Sequence, residues 1–352
     1  MISIAGAAVL LSVSISAPEI YRNSLPAAPG EEINLFNYTP FGQYWYVDGV
    51  LTHHETLAAK LGEESTLKLF GELPRLDGAT ALYPLYSAFA RATYPAPQPA
   101  LDIPEYSPYG DLRESGVNNY LVVCSRTAAA YENLIDGYAD IIFLMGVSDE
   151  QRAMAAERGL ELVLTPIGYE AFVFFVNSRN TIENLSTDDI RRIYSGEVTN
   201  WRQVGGRNNA IRAYQRPSGS GSQTMLQQIM RDTPLISAPL DDTFDMMMGM
   251  YERVANYRNY RNSLGYSFLY YIRDMIGENR VKFLSVDGVA PTHENILSGA
   301  YPFANSFYAI TVQSGGEYIN PERAENIDNF LEWILSPQGQ YLVEATGYVP
   351  LR

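Results

Sequence analysis

The chain reads as an α/β protein organised in two domains or lobes. Three observations predict this. From Thr66 onward, short apolar runs alternate with segments of helical spacing, a pattern that favours mixed layers over an all-α or all-β fold. The length of 352 residues exceeds what one hydrophobic core usually organises. Apolar residues make up 46% and charged residues only 18%, the composition of a globular chain rather than a disordered one.

The elements follow in order. Ile2 to Ala17 is an uncharged stretch without a basic leader, shorter than the roughly 20 residues of a comfortable membrane span. It is expected to be a signal or membrane-anchor segment, residues 1–17. Residues 18–65 are rich in Pro, Asn, Tyr and Gly without a clear period, and read as an arm or spacer. His53 and His54 lie there, but adjacent histidines point apart in a strand and no acid or cysteine completes a ligand set, so no metal is expected. Strand-like runs are Leu121 to Cys124, Ile141 to Leu144, Leu160 to Leu164, Phe172 to Val176, Ile211 to Tyr214, Val281 to Val286 and Phe307 to Val312. Helices are expected near Tyr83 to Ala92, Ala128 to Ile135, Thr187 to Tyr194, Gln223 to Arg231, Phe244 to Arg253 and Ile327 to Leu335. The prolines between Tyr94 and Pro108 mark a rigid surface excursion. Cys124, the single cysteine, excludes an intramolecular disulfide and reads as a small buried hydrophobe.

The net charge of −15, from 25 basic and 40 acidic residues, makes nucleic acid and anionic membranes poor partners. An acidic protein can still hold an anion with local donors. Arg216-Pro217-Ser218-Gly219-Ser220-Gly221-Ser222, between an apolar run and a helix, has the makings of such a site. The first backbone N–H groups of a helix have no intrahelical partner, glycine permits close approach, and an arginine fork suits two oxygens of one anion. Two earlier helix starts share the design: Gly78-Ala79-Thr80 before Pro84, and Ser125-Arg126-Thr127 after the run ending at Cys124. Thr80 and Thr127 are the candidate caps. Three such starts can surround one oxyanion in a cleft.

Taken together, these residues resemble the phosphate-binding proteins of bacterial phosphate ABC transporters, of the type II periplasmic-binding-protein superfamily. The resemblance continues through Ile193-Tyr194-Ser195-Gly196-Glu197-Val198-Thr199-Asn200-Trp201, Leu264-Gly265-Tyr266-Ser267-Phe268, Leu335-Ser336-Pro337-Gln338-Gly339 and Gly347-Tyr348-Val349-Pro350-Leu351, covering roughly residues 70 to 352. It implies a hinged, two-lobed fold, with lobe 1 formed by residues 66–168 plus 300–352 and lobe 2 by 169–299. It implies an extracytoplasmic protein that captures inorganic phosphate for an ABC importer, with permease subunits as partners, no cofactor, and a monomeric state. Carried over by position, Thr80 and the N–H of Ala81 fall on the first anion loop, Thr127 on the second, and Arg216, Ser220, Gly221 and Ser222 on the third.

One departure concerns selectivity. The family's aspartate that accepts the proton of hydrogen phosphate should follow Ile141-Ile142-Phe143, where this chain has Leu144-Met145-Gly146. Asp149 comes a few residues late, and Asp77 and Glu170 are the other candidate acids. The acid usual between the arginine and the serine is absent. A general tetrahedral-oxyanion binder of the sulfate type, or a surface sensor on the same fold, is the alternative. Catalysis is not expected: a serine nucleophile needs a base, and none of the three histidines is near the Ser-rich turn in sequence.

Overall fold

Strand Ile141–Leu144 is four apolar residues in a row, all buried, which is what a strand covered on both faces requires. Its side chains divide with period two. Ile141 and Phe143 join the main core, whereas Ile142 and Leu144 join a smaller cluster with Ala130, Leu134 and Ile310. The computed structural model describes residues 33–47, 50–96, 121–238, 242–256, 262–277 and 280–351. The expected signal or anchor segment and most of the proline-rich excursion lie outside the described residues. Among the described residues no helix is long and apolar enough to cross a membrane.

The sheet strands are β1 (Leu76–Gly78), β2 (Ile141–Leu144), β3 (Glu161–Asn177), β4 (Arg212–Ala213), β5 (Ser263–Phe268), β6 (Val281–Phe283) and β7 (Ala304–Ser314). Their order is β1-β2-β7-β3-β5-β4, with β6 also paired to β3 and the two-residue strand Glu317–Tyr318 paired to β7. Among the described residues the α-helices of eight residues or more are α1 (Tyr83–Thr93), α2 (Arg126–Ile135), α3 (Asp149–Glu157), α4 (Thr187–Tyr194), α5 (Gly221–Met230), α6 (Met247–Asn256), α7 (Ala324–Leu335) and α8 (Pro337–Thr346).

Strand β3 organises the molecule. The sequence suggested two strands, Leu160 to Leu164 and Phe172 to Val176, and the structure joins them into one of 17 residues, about 55 Å long at the usual rise per residue. Up to Ala171 it pairs antiparallel with β7, and from Phe172 onward with β5 and β6. Pro166 and Gly168, which look like a break, are accommodated by a register shift between Phe307 and Tyr308 of β7. Glycine is needed at 168 because a Cβ there would lie 2.5 Å from Cζ of Phe307. The buried run Phe172–Val176 then packs Phe172 and Phe174 against Tyr266, with ring centroids 5.3 and 6.3 Å apart.

Other expectations shift in detail. Leu121 to Cys124 is no strand; Val122 makes one isolated bridge to Leu76. Val281 to Val286 divides into β6 and the short strand Ser285–Val286. The arm contains an antiparallel hairpin, Gln43–Val47 with Val50–His54. Trp201 and helix α4 are core elements: Trp201 is 1% exposed, and Ile190, Ile193 and Tyr194 face inward.

Candidate anion-binding site

The third loop is built from the sequence Gln215 to Gln223. Ser220 caps α5, its Oγ accepting the N–H of Gln223 at 3.3 Å. A capping serine uses its hydroxyl oxygen and leaves its proton to donate outward. The N–H groups of Gly221 and Ser222, in the first turn of α5, have no partner among the described residues. Arg216 follows the short strand β4, and its backbone N–H donates to Oε1 of Gln223 at 3.0 Å and to the hydroxyl of Tyr266 at 2.9 Å. Tyr266 in turn donates to Gln223. These two supports were not foreseen from sequence, although Gln223 stands one turn into a recognisable helix start.

The Arg216 guanidinium is preset. Nε donates to the Phe244 carbonyl at 3.4 Å, Nη1 to Oγ of Ser222 at 2.8 Å and Nη2 to the Asp245 carbonyl at 2.6 Å. An arginine has five N–H donors, so one remains on each terminal nitrogen, a pair spaced for two oxygens of one anion. Burial holds its pKa below the ordinary guanidinium value, with the nearby Arg126 acting in the same direction. Among the described residues no carboxylate pairs with it; Glu170 instead accepts the N–H groups of Ala171 and Tyr270.

The first and second loops are tied together by Asp77. This residue is fully buried in the middle of β1. Its Oδ1 accepts the N–H of Gly78 and of Ser125, both at 2.7 Å, and its Oδ2 accepts Nδ2 of Asn133 at 2.8 Å. Desolvation raises its pKa to about 6 against the lowering effect of these bonds. Thr80 opens a 3-10 turn, Thr80–Leu82, whose flanking position is held by Ala79, and α1 follows with Pro84 in its first turn. Thr127 lies inside α2, behind Ser125. Neither threonine is therefore a helix cap, contrary to the sequence expectation, and each keeps a hydroxyl for other use. The Ala81 N–H has no partner among the described residues, while its carbonyl accepts the hydroxyl of Tyr348.

The loops converge. A Cβ built on Gly221 would lie 3.0 Å from Oγ1 of Thr127, so the start of α5 and the start of α2 are in contact. Gly221→Ala is expected to weaken anion affinity about tenfold by wedging the loops apart. The melting temperature should hold or rise, because alanine is the better helix former. Titration and thermal melting of the variant check this; unchanged affinity would show that the approach is not needed.

A family model describing the PBP superfamily domain matches residues 77–338. The chain belongs to that superfamily. Among curated relatives, it is 25% identical over 191 residues to the phosphate-binding protein PstS of Borreliella burgdorferi, covering 53% of this chain and 66% of that protein. It is 22% identical over 205 residues to PstS of Bacillus subtilis, covering 58% and 62%. The match thus spans a little under two thirds of these relatives' own length. Among solved structures, the fold is similar to that of an ABC-type phosphate transport receptor from Vibrio cholerae, at 21% identity and a TM-score of 0.53, covering 79% of this chain and 99% of that one. It is also similar to a Clostridium perfringens protein assigned to phosphate ABC transport as substrate-binding component and solved with bound phosphate, at 21% identity and a TM-score of 0.56, covering 80% and 100%.

Within this PBP superfamily member, the three candidate acids are placed unlike one another. Asp149 is exposed at the first position of α3, where Ser148 is the N-cap and completes a capping box with Gln151. Asp77 is occupied by three internal donors. Glu170 lies in β3 opposite Asn305, at the point where β3 changes partners. After β2 the chain continues with Met145, which is buried, so an apolar side chain follows the strand where an acceptor was sought.

Proposed function

We propose that this protein is an extracytoplasmic solute-binding protein that captures inorganic phosphate for an ABC importer, by binding and without catalysis. The observation that carries the reading is the close approach of Thr127 to Gly221, which supports Thr80, Ala81, Thr127, Arg216, Ser220, Gly221 and Ser222 as the donor set of one site. The relatives named for phosphate binding support the choice of anion. We place the lobe boundaries at 66–168 plus 300–352 and 169–299, because β3 exchanges β7 for β5 between Ala171 and Phe172. Permease subunits are the implied partners, and the negative charge argues against nucleic acid. Isothermal titration with inorganic phosphate tests the reading. Saturable one-to-one binding is expected, and its absence would overturn it.

A second reading, a general tetrahedral-oxyanion binder, is favoured by one feature: no acid among the three candidates offers an open carboxylate to the donor cluster. Hydrogen phosphate must donate its proton to an acceptor, whereas sulfate carries none, and only a facing carboxylate rejects sulfate. Sulfate is therefore expected to displace phosphate at comparable concentration at neutral pH. Phosphate retained against a large excess of sulfate would reveal an acceptor, with Asp77 the first residue to replace.

A further inference from the structure

We propose that Asp77 is a positioning residue of the anion site: its ionised carboxylate draws the first and second anion loops together, so that neutralising it weakens oxyanion binding without weakening the fold. The proposal rests on the oxyanion reading above and concerns the arrangement of its donors. Asp77 stands opposite Ile142 of β2, and its Oδ1 accepts two backbone N–H groups, one on each loop. Gly78 leads to Thr80 and Ser125 leads to Thr127, and both bonds are 2.7 Å. Oδ2 accepts Nδ2 of Asn133, further along α2, at 2.8 Å, and the same amide reaches Oγ of Ser125 at 3.3 Å. The turn held in this way needs holding. Ser125 makes no side-chain cap on α2, and Arg126 has φ of +69°, a left-handed conformation that residues with a Cβ rarely adopt and that persists where the surroundings fix it. Thr127, which approaches Gly221 of the third loop, follows directly.

A neutral carboxyl cannot do the same work. Ionised, the group is acceptor-only, which is what three donors require; protonated, it carries an O–H donor of its own and accepts more weakly. For the fold, the ionised form is a cost. Asp77 is fully buried, and desolvation outweighs its hydrogen bonds, leaving its pKa raised to about 6. The titratable groups that face it are Tyr86 of α1 and Cys124, both kept neutral because burial raises their pKa values, with the charge of Asp77 acting in the same direction. Of the charged side chains nearest along the chain, Arg75 pairs with Asp140 at 2.8 Å, and Arg126 reaches Sδ of Met246 at 3.9 Å. Oδ1 of Asp77 therefore joins β1 to the start of α2 at the expense of stability, and what this junction positions is the donors of the two loops.

The test compares the full chain as wild type and as Asp77→Asn, which keeps the shape and cannot ionise, by titration with inorganic phosphate and with sulfate between pH 5 and pH 7.5 at constant ionic strength, together with thermal melting. The protonation of the ligand is common to both proteins and cancels from the ratio of their dissociation constants. At pH 7.5 the variant is expected to bind both anions about tenfold more weakly, while melting at a temperature no lower than wild type. The ratio should then shrink toward one as pH falls through 6, where wild type itself becomes neutral at Asp77. A ratio that stays constant with pH, or a variant that binds as tightly as wild type at pH 7.5, would overturn the inference while leaving the oxyanion reading intact. Loss of phosphate binding alone would also overturn it, because Asp77 would then be the acceptor of the ligand's proton. Should the variant unfold, the wild-type profile for sulfate decides: affinity must fall toward pH 5, whereas a rise, as plain repulsion by the carboxylate requires, would overturn the inference. Wild type that binds neither anion at any pH would overturn both.

Discussion

Replacing Arg216 with alanine is expected to abolish most of the anion affinity. The guanidinium is largely buried and keeps one further N–H on each terminal nitrogen, and losing such a charge-assisted donor at a desolvated site costs on the order of 2 to 5 kcal/mol. At about 1.4 kcal/mol per factor of ten, that is roughly a thirty-fold to several-thousand-fold loss. Removing a single hydroxyl, as in Ser220→Ala or Thr127→Val, should cost about 1 kcal/mol by comparison. Arg216 also ties the carbonyls of Phe244 and Asp245 to Ser222, so a denaturation curve must accompany the titration. Separate readings distinguish a loose loop from a lost ligand contact. An unchanged dissociation constant in a folded Arg216→Ala protein would reduce this arginine to a structural bracket between β4 and the segment preceding α6.

What could be read in advance divides by range along the chain. The third loop was legible because its chemistry is local: Arg216, Ser220, Gly221 and Ser222 lie within a few residues, and the helix that presents them announces itself through Leu226, Ile229 and Met230, all buried. The apolar runs of β2 and of the second half of β3 were legible for the same reason. Strand β1, three residues long, carries too little pattern to be seen alone, and it exists because Leu76 to Gly78 pair with Ile141 to Phe143 far along the chain. The continuity of β3 was hidden by Pro166 and Gly168, which signal a break locally but face an irregularity in β7 that absorbs them. The internal donors of Asp77 could not be read in advance, because Ser125 and Asn133 are remote from it in sequence. The left-handed φ of +69° at Arg126 was invisible for a related cause, since nothing in Ser125-Arg126-Thr127 dictates such a turn and the bond from the Ser125 N–H to Asp77 is remote in sequence.

Glu170 leads to the remaining expectation, a stability that falls as pH rises. Its side chain is buried where β3 exchanges partners, with Oε1 accepting the Ala171 N–H at 2.7 Å and Oε2 the Tyr270 N–H at 3.2 Å. Burial pushes its pKa up from 4.5 to about 8, with the two N–H bonds and Arg273 pulling the other way and Asp274 adding to the rise. A carboxyl whose pKa is higher folded than unfolded binds more protons in the native state between the two values. Stability is then greatest below about 4.5, declines as pH rises toward 8, and levels off above it. Asp77, raised to about 6 from 3.8 mainly by desolvation, acts with the same sign over the lower part of that window. The Glu170 shift corresponds to on the order of 3 to 5 kcal/mol as an upper bound. Urea midpoints of the wild type should fall between pH 5 and pH 8, and Glu170→Gln should lose most of the slope above pH 6, because it has no proton to release. A wild-type midpoint that rises through this interval, or a variant that keeps the full slope, would rule out Glu170 as the titrating group. The same region adjoins the site: Tyr270, whose N–H Glu170 holds, packs in a tilted pair with Tyr348 at 4.4 Å between ring centroids, and Tyr348 donates to the carbonyl of Ala81.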